Sequence, residues 1–171
     1  METRLRKNNF NNDWKLPLLP DYIMKWSDIT PENDCIVFAD TGRVISYHEF
    51  DRLTDLYAMR LKKMGIKKGD IVVTQFLGVP EFYILVYGCL KAGIIISPLD
   101  IKEQAHEVVR DLDKIEAKAF FCLGKTPIRD FSEVAKEVQK KCPYVKHIVQ
   151  WPSGIKGDTI IDGAKNFNDL F

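Results

Sequence analysis

The chain has 171 residues, 46% of them hydrophobic and 29% charged, with a net charge of +1. That length suits one domain able to bury roughly 70% of its unfolded surface, so its core needs no disulfide staples. The near-zero charge shows no basic stripe and gives no push toward nucleic acid or an anionic membrane.

Four cysteines, Cys35, Cys89, Cys122 and Cys142, include no C-x-x-C pair, and three of them sit inside apolar runs. The expectation is buried free thiols in a reducing compartment rather than disulfides or a metal site. The basic start METRLRKNNF leads into polar sequence rather than an apolar h-region, so no signal peptide is expected. The longest apolar stretch, Ile84 to Leu99, is interrupted by Lys91 and two glycines and falls short of the roughly 20 residues needed to span a bilayer. A cytoplasmic protein is expected.

In chain order, residues 1–30 read as an N-terminal arm anchored by Trp14 and Trp26, with one short helix from Asp21 to Ile29. Residues 31–171 read as an α/β domain. Cys35 to Ala39 and Val44 to Ser46 are β-type runs around an Asp-Thr-Gly-Arg turn, a plausible hairpin. Ser46-Tyr47-His48-Glu49 then forms a capping box, which opens a helix with Phe50, Leu53, Tyr57, Leu61 and Met64 on one face. Its acidic start and its basic end at Arg60, Lys62 and Lys63 complement the helix dipole, and Gly65-Ile66 reads as a Schellman stop.

Asp70 to Asp100 reads as strand, helix, strand. Ile71 to Phe76 and Ile94 to Ser97 are apolar runs without strict alternation, which predicts strands covered on both faces and paired in parallel. Pro80 to Ala92 is apolar almost all round, opened by proline and closed by Gly93, hence a buried helix. Lys91 interrupts it and is expected to snorkel outward from near the C-terminus.

An amphipathic helix follows with Ala105, Val108, Leu112 and Ile115 inward. Ala119 to Leu123 and Val145 to Gln150 read as strands, separated by a helix that Ser132 would cap. Beyond Trp151 the sequence reads as a loop, then as an apolar tail of Phe167, Leu170 and Phe171 awaiting a surface. The alternation predicts an α/β fold: a mostly parallel sheet with helices on both faces and right-handed crossovers.

The usual chemical motifs are missing. No strand-to-helix turn carries a dinucleotide glycine fingerprint. Gly124-Lys125-Thr126 has the tail of a P-loop, but Pro127 follows it and Phe120-Phe121 replaces the first glycine. Gly154 to Gly157 reads as a flexible turn. His48, His106 and His147 are isolated, with no metal-ligand spacing, so no metal ligands are assigned.

The pattern as a whole resembles the N-terminal portion of the adenylate-forming, or AMP-binding, superfamily: acyl-CoA synthetases, luciferases and adenylation domains of peptide synthetases. The resemblance rests on three segments in order and at the family's spacing. They are Ile45-Ser46-Tyr47-His48-Glu49-Phe50, Met64-Gly65-Ile66-Lys67-Lys68-Gly69-Asp70-Ile71-Val72, and Leu90-Lys91-Ala92-Gly93 followed by Ile94 to Leu99. Asp113 to Phe121 is similar to a further family strand.

The resemblance implies an acyl-CoA synthetase-like fold and a parent enzyme that converts a small-molecule carboxylic acid and ATP, with Mg2+, into an acyl-adenylate and then an acyl-CoA. The family's glycine-rich Ser/Thr loop ending in Pro-Lys-Gly does not occur in the 171 residues. The chain is therefore expected to be an inactive N-terminal fragment with no catalytic residues and no bound cofactor of its own. Lys125 and Arg129, on the loop after the Ala119 to Leu123 strand, are the candidate cofactor-binding residues, placed where some relatives reach the coenzyme A 3′-phosphate. Two alternatives stay open: a free-standing flavodoxin-like or Rossmann-like binding module, and a non-catalytic interaction protein with a degenerate synthetase fold.

Overall fold

The computed structural model describes residues 17–170. Helix α1 (Leu19–Ile29) opens on Leu18, whose N–H donates to the Asp21 carboxylate at 2.8 Å. It lies across α2 (Tyr47–Lys63) and α3 (Pro80–Ala92). Trp14 is outside the described residues; Trp26 lies 6.4 Å from the Tyr47 ring and stays 39% exposed, so it is not a buried anchor.

Strands β1 (Asp34–Phe38) and β2 (Arg43–Ser46) form the expected antiparallel hairpin. Arg43 pairs with Glu81 at 2.6 Å and Phe38 meets Tyr83, tying the hairpin to the start of α3. Ser46 caps α2 by accepting from the Glu49 N–H at 3.2 Å. Only this half of the predicted capping box forms, with no bond from the Ser46 N–H to the Glu49 carboxylate, while the Tyr47 and His48 N–H groups donate to the carbonyls of Asn33 and Pro31. The Schellman stop is present: Gly65 has φ +84°, with Gly65 N–H on Lys62 and Ile66 N–H on Leu61.

The main sheet is parallel throughout, in the order β4-β3-β5-β6-β7. Its strands are β3 (Ile71–Gln75), β4 (Ile95–Pro98), β5 (Ala119–Leu123), β6 (His147–Trp151) and β7 (Lys165–Asn166). Helices α2 and α3 cover one face around Phe50, Leu61, Leu85, Cys89 and Phe121. Helices α4 (Ala105–Ile115) and α5 (Ser132–Lys141) cover the other around Val108, Leu112, Phe120, Val134 and Val138. β5 is buried at every position, as its unalternating AFFCL predicts. All four cysteines are free, and burial pushes the Cys89 thiol up to about 12. No described helix is long and apolar enough to cross a membrane.

Several expectations are corrected. β4 is an edge strand rather than a doubly covered one, and Ile95 is 52% exposed. That edge is blunted: Ile95 and Leu99 turn their N–H groups to β3, so Ile96 and Pro98 face outward, and proline has no N–H to offer. Lys91 does not snorkel. Its ammonium bonds Asp51 at 2.5 Å and Asp55 at 2.8 Å, with the side chain 8% exposed, because α2 presents those carboxylates one turn apart toward α3. Ser132 is the first residue of α5 rather than its cap; the Asp130 carboxylate accepts its N–H at 2.9 Å.

The tail is docked. Phe167 is 1% exposed among Tyr57, Phe76 and Phe121, and β7, which the sequence reading placed in loop, pairs with β6.

Candidate functional site

Parallel strands with returning helices leave their C-terminal ends as the place where loops gather. In the order β4-β3-β5-β6-β7 the chain reverses direction between β3 and β5, the topological switch point at which open α/β sheets bind ligands. Three loops meet there: 99–104 after β4, 124–131 after β5 and 152–164 after β6.

Two side chains hold the first loop. Gln75, the last residue of β3 and fully buried, donates through Nε2 to the carbonyls of Asp100 and Glu103, both at 3.1 Å. Arg129 donates through Nη1 to the carbonyls of Ile101 and Glu103, both at 2.8 Å, and its guanidinium lies 5.1 Å from the Phe131 ring. The second loop closes on itself. Thr126 Oγ1 accepts the N–H groups of Ile128 and Arg129 and donates to the Arg129 carbonyl, while Lys125 and Asp130 form an antiparallel bridge.

Asp158 joins the third loop to the second. Its carboxylate accepts the Lys125 N–H at 2.7 Å and the Ser153 N–H at 2.6 Å, and the Ser153 hydroxyl donates to the Lys125 carbonyl. Gly124 is required beneath it, since a Cβ there would collide with the Asp158 carboxylate. Both charges placed by the sequence therefore sit at this end of the sheet, in different employment. Arg129 staples two loops, and the Lys125 ammonium runs beside Gly157, where an added Cβ would lie 3.6 Å from Nζ.

Gln75, Glu103, Ser153 and Asp158 escaped the sequence reading. The available signal was a glutamine ending the otherwise apolar run Ile71 to Phe76, since an amide buried in a strand needs partners. Thr74 Oγ1, Gln75 Oε1 and Glu103 Oε2 are buried without a partner among the described residues. They give this end polar capacity that the protein's own groups leave unused.

The remaining candidates stay separate. His48 and His106 are exposed. His147 lies at the opposite end of the sheet, where burial first, then Lys165 and Lys118, hold its imidazole below the ordinary value, with Met64 opposing. No described group of His, Cys, Asp and Glu side chains could hold a metal ion. A groove of about 460 Å³ between α1, α2 and α3 is lined by Leu18, Met24, Ala58, Met59 and Leu90, with Lys62 and Lys91 among its polar residues, and includes no residue of the three loops.

Comparison with known proteins follows this architecture. The chain is 24% identical over 152 residues to a 4-coumarate–CoA ligase-like protein of Arabidopsis thaliana, covering 89% of this chain and 25% of that protein. It is 26% identical over 132 residues to a mitochondrial medium-chain acyl-CoA ligase of Danio rerio, covering 77% of this chain and 21% of that one. The chain thus spans about a quarter of the length of these relatives. Acetoacetyl-CoA synthetase from Streptomyces lividans shares the fold with a TM-score of 0.76 at 15% identity, over 88% of this chain and 24% of that one. Coronafacic acid ligase from Pectobacterium brasiliense does so at 0.74 and 23%, over 88% of this chain and 28% of that one. The strand order is flavodoxin-like, one of the two the binding-module alternative named. The model of the AMP-binding enzyme family matches residues 24–168, and the chain belongs to that family of adenylate-forming ligases.

Proposed function

We propose that this chain is the N-terminal part of an AMP-forming acid–thiol ligase. The complete enzyme joins a small-molecule carboxylic acid to ATP as an acyl-adenylate and passes the acyl group to coenzyme A. The observation that carries this reading is the family match over residues 24–168, with relatives named as CoA ligases. ATP and Mg2+ find no fit here: the chain has no glycine-rich Ser/Thr loop, and its described residues offer no metal-binding group. Adenylation therefore belongs to sequence outside these 171 residues, and a cytoplasmic setting suits the four free thiols.

Within this reading the chain's own contribution is to support and to position. Gln75, Arg129 and Asp158 fix the three loops, and the Lys125 ammonium supplies a cation to the 3′-phosphate of coenzyme A. Arg129, bound to the Ile101 and Glu103 carbonyls through Nη1, orients that loop, and its other N–H groups are its capacity for the same phosphate.

Pyrophosphate release tests the assignment. The isolated chain, given a panel of acids with MgATP and coenzyme A, is expected to release none, and release would refute the placement of adenylation elsewhere. In a longer chain carrying the remaining family sequence, Lys125→Ala is expected to raise the KM for coenzyme A about tenfold, the effect of one charge-assisted hydrogen bond. The KM for dephospho-coenzyme A should not move. An equal effect on both cofactors would remove Lys125 from phosphate recognition.

A further inference from the structure

We propose, resting on the assignment of Lys125 to the 3′-phosphate of coenzyme A, that Lys156 on the loop after β6 closes over the same phosphate, so that two ammoniums form one clamp. A phosphate monoester carries about two negative charges at pH 7. One lysine neutralises half of them.

The charges on the three loops are used unequally. Asp100 accepts the Lys102 N–H at 2.8 Å, Glu103 the Asp100 N–H at 3.3 Å and Asp130 the Ser132 N–H at 2.9 Å, while Asp158 accepts the N–H groups of Lys125 and Ser153. These four carboxylates are turned onto the backbone. Asp162, the fifth, lies where its carbonyl accepts from Gln139 in the last turn of α5. Among the described residues none of Lys102, Lys125, Arg129 and Lys156 forms an ion pair.

The third loop brings two of these cations together. Its Asp158 N–H donates to the Ile155 carbonyl at 3.1 Å and closes a turn with Lys156 and Gly157 at its centre. Gly157 has φ +80°, which glycine adopts without steric cost. A Cβ added to Gly157 would lie 3.6 Å from Lys125 Nζ, so the ammonium of the half-buried Lys125 stands against this turn. Lys156 is exposed, and its Cα is about 3.8 Å from that of Gly157. Its flexible four-carbon stem therefore reaches an anion held by Lys125.

The Asp158 bonds tie the second and third loops to each other, so the two lysine backbones are set at a fixed separation before a ligand arrives. The backbone N–H groups of Lys156 and Gly157 have no acceptor among the described residues, which leaves two further donors on the turn. Lys102 has no such link: it stands on the first loop, which is held through Gln75 and Arg129.

The test is calorimetric titration of the purified chain with coenzyme A and with dephospho-coenzyme A, which differ only in the 3′-phosphate. Coenzyme A is expected to bind at least tenfold more tightly. Lys156→Ala and Lys156→Gln should each weaken coenzyme A about tenfold, the effect of one charge-assisted hydrogen bond, and leave dephospho-coenzyme A unchanged. Lys156→Arg should restore most of the loss, and Lys102→Ala should cause none, with far-UV circular dichroism confirming that each variant is folded. Inorganic phosphate at the concentration of coenzyme A should not displace it. Weakening by Lys125→Ala but not by Lys156→Ala overturns the clamp and leaves Lys125 in its role. An equal effect of Lys156→Ala on both cofactors, an equal loss with Lys102→Ala, or displacement by inorganic phosphate also overturns the clamp. Failure of the unaltered chain to bind coenzyme A at millimolar concentration overturns the assignment of Lys125 and the clamp together.

Discussion

Replacing Gly88 with alanine tests how α2 and α3 are held together. Gly88 lies mid-helix in α3, where glycine costs about 1 kcal/mol of helix stability relative to alanine. Helix propensity alone therefore makes Gly88→Ala stabilising. The packing opposes this: a Cβ at Gly88 would stand 2.7 Å from Tyr57 Cβ and 3.3 Å from both the Ala58 nitrogen and the Thr54 carbonyl oxygen. Ordinary carbon contacts lie near 3.5–4.0 Å, so the helices must separate by about 1 Å. None of the obstructing atoms is the free end of a side chain, and both helices are clamped to the sheet through Leu61, Leu85 and Cys89. Overpacking of this kind costs up to about 3 kcal/mol. Against the propensity gain, the expected net loss is about 1–2 kcal/mol, or a fall in melting temperature of about 2–8 °C for a chain of this size. Urea titration followed by circular dichroism, with thermal melts alongside, measures both. A variant stabilised by about 1 kcal/mol would show that the helices part freely and that the close approach at Gly88 holds nothing.

Lys91→Ala should cost about 2 kcal/mol, less than a fully buried pair because Asp55 is 64% exposed and rehydrates. A double-mutant cycle with Asp51→Asn isolates the pair, and a coupling near zero would refute it. His147 gives a pH dependence. Its folded pKa lies below the ordinary 6.5, so the unfolded chain takes up the proton first as pH falls. Its contribution to stability is complete above pH 6.5 and is lost as pH drops from there through the folded value. Urea unfolding from pH 7.5 to 5 should show that decline, and His147→Gln should remove this part of it; identical pH profiles for the two proteins would exclude the assignment.

Much of the fold was legible because its signals are local. Ser46 and the Gly65-Ile66 stop bound α2 by hydrogen bonds within three to five residues, and the unalternating Ile71 to Phe76 and Ala119 to Leu123 announce buried parallel strands. The candidate site was legible only at Lys125 and Arg129. Gln75 reaches Asp100 and Glu103 across 25 and 28 residues, and Asp158 reaches Lys125 across 33, distances over which no sequence periodicity speaks.

By itself the sequence determined the order and kind of elements, the absence of disulfide and metal patterns, and the resemblance to adenylate-forming enzymes. Capping, periodicity and turn chemistry act within a few residues and need no knowledge of neighbours. Only the tertiary structure decided which strand is an edge, where Lys91 and Phe167 go, and that Gln75, Arg129 and Asp158 hold three distant loops at one end of the sheet. Those outcomes depend on which segments become neighbours, and parallel strands with returning helices sort residues by end and by face whatever their distance along the chain.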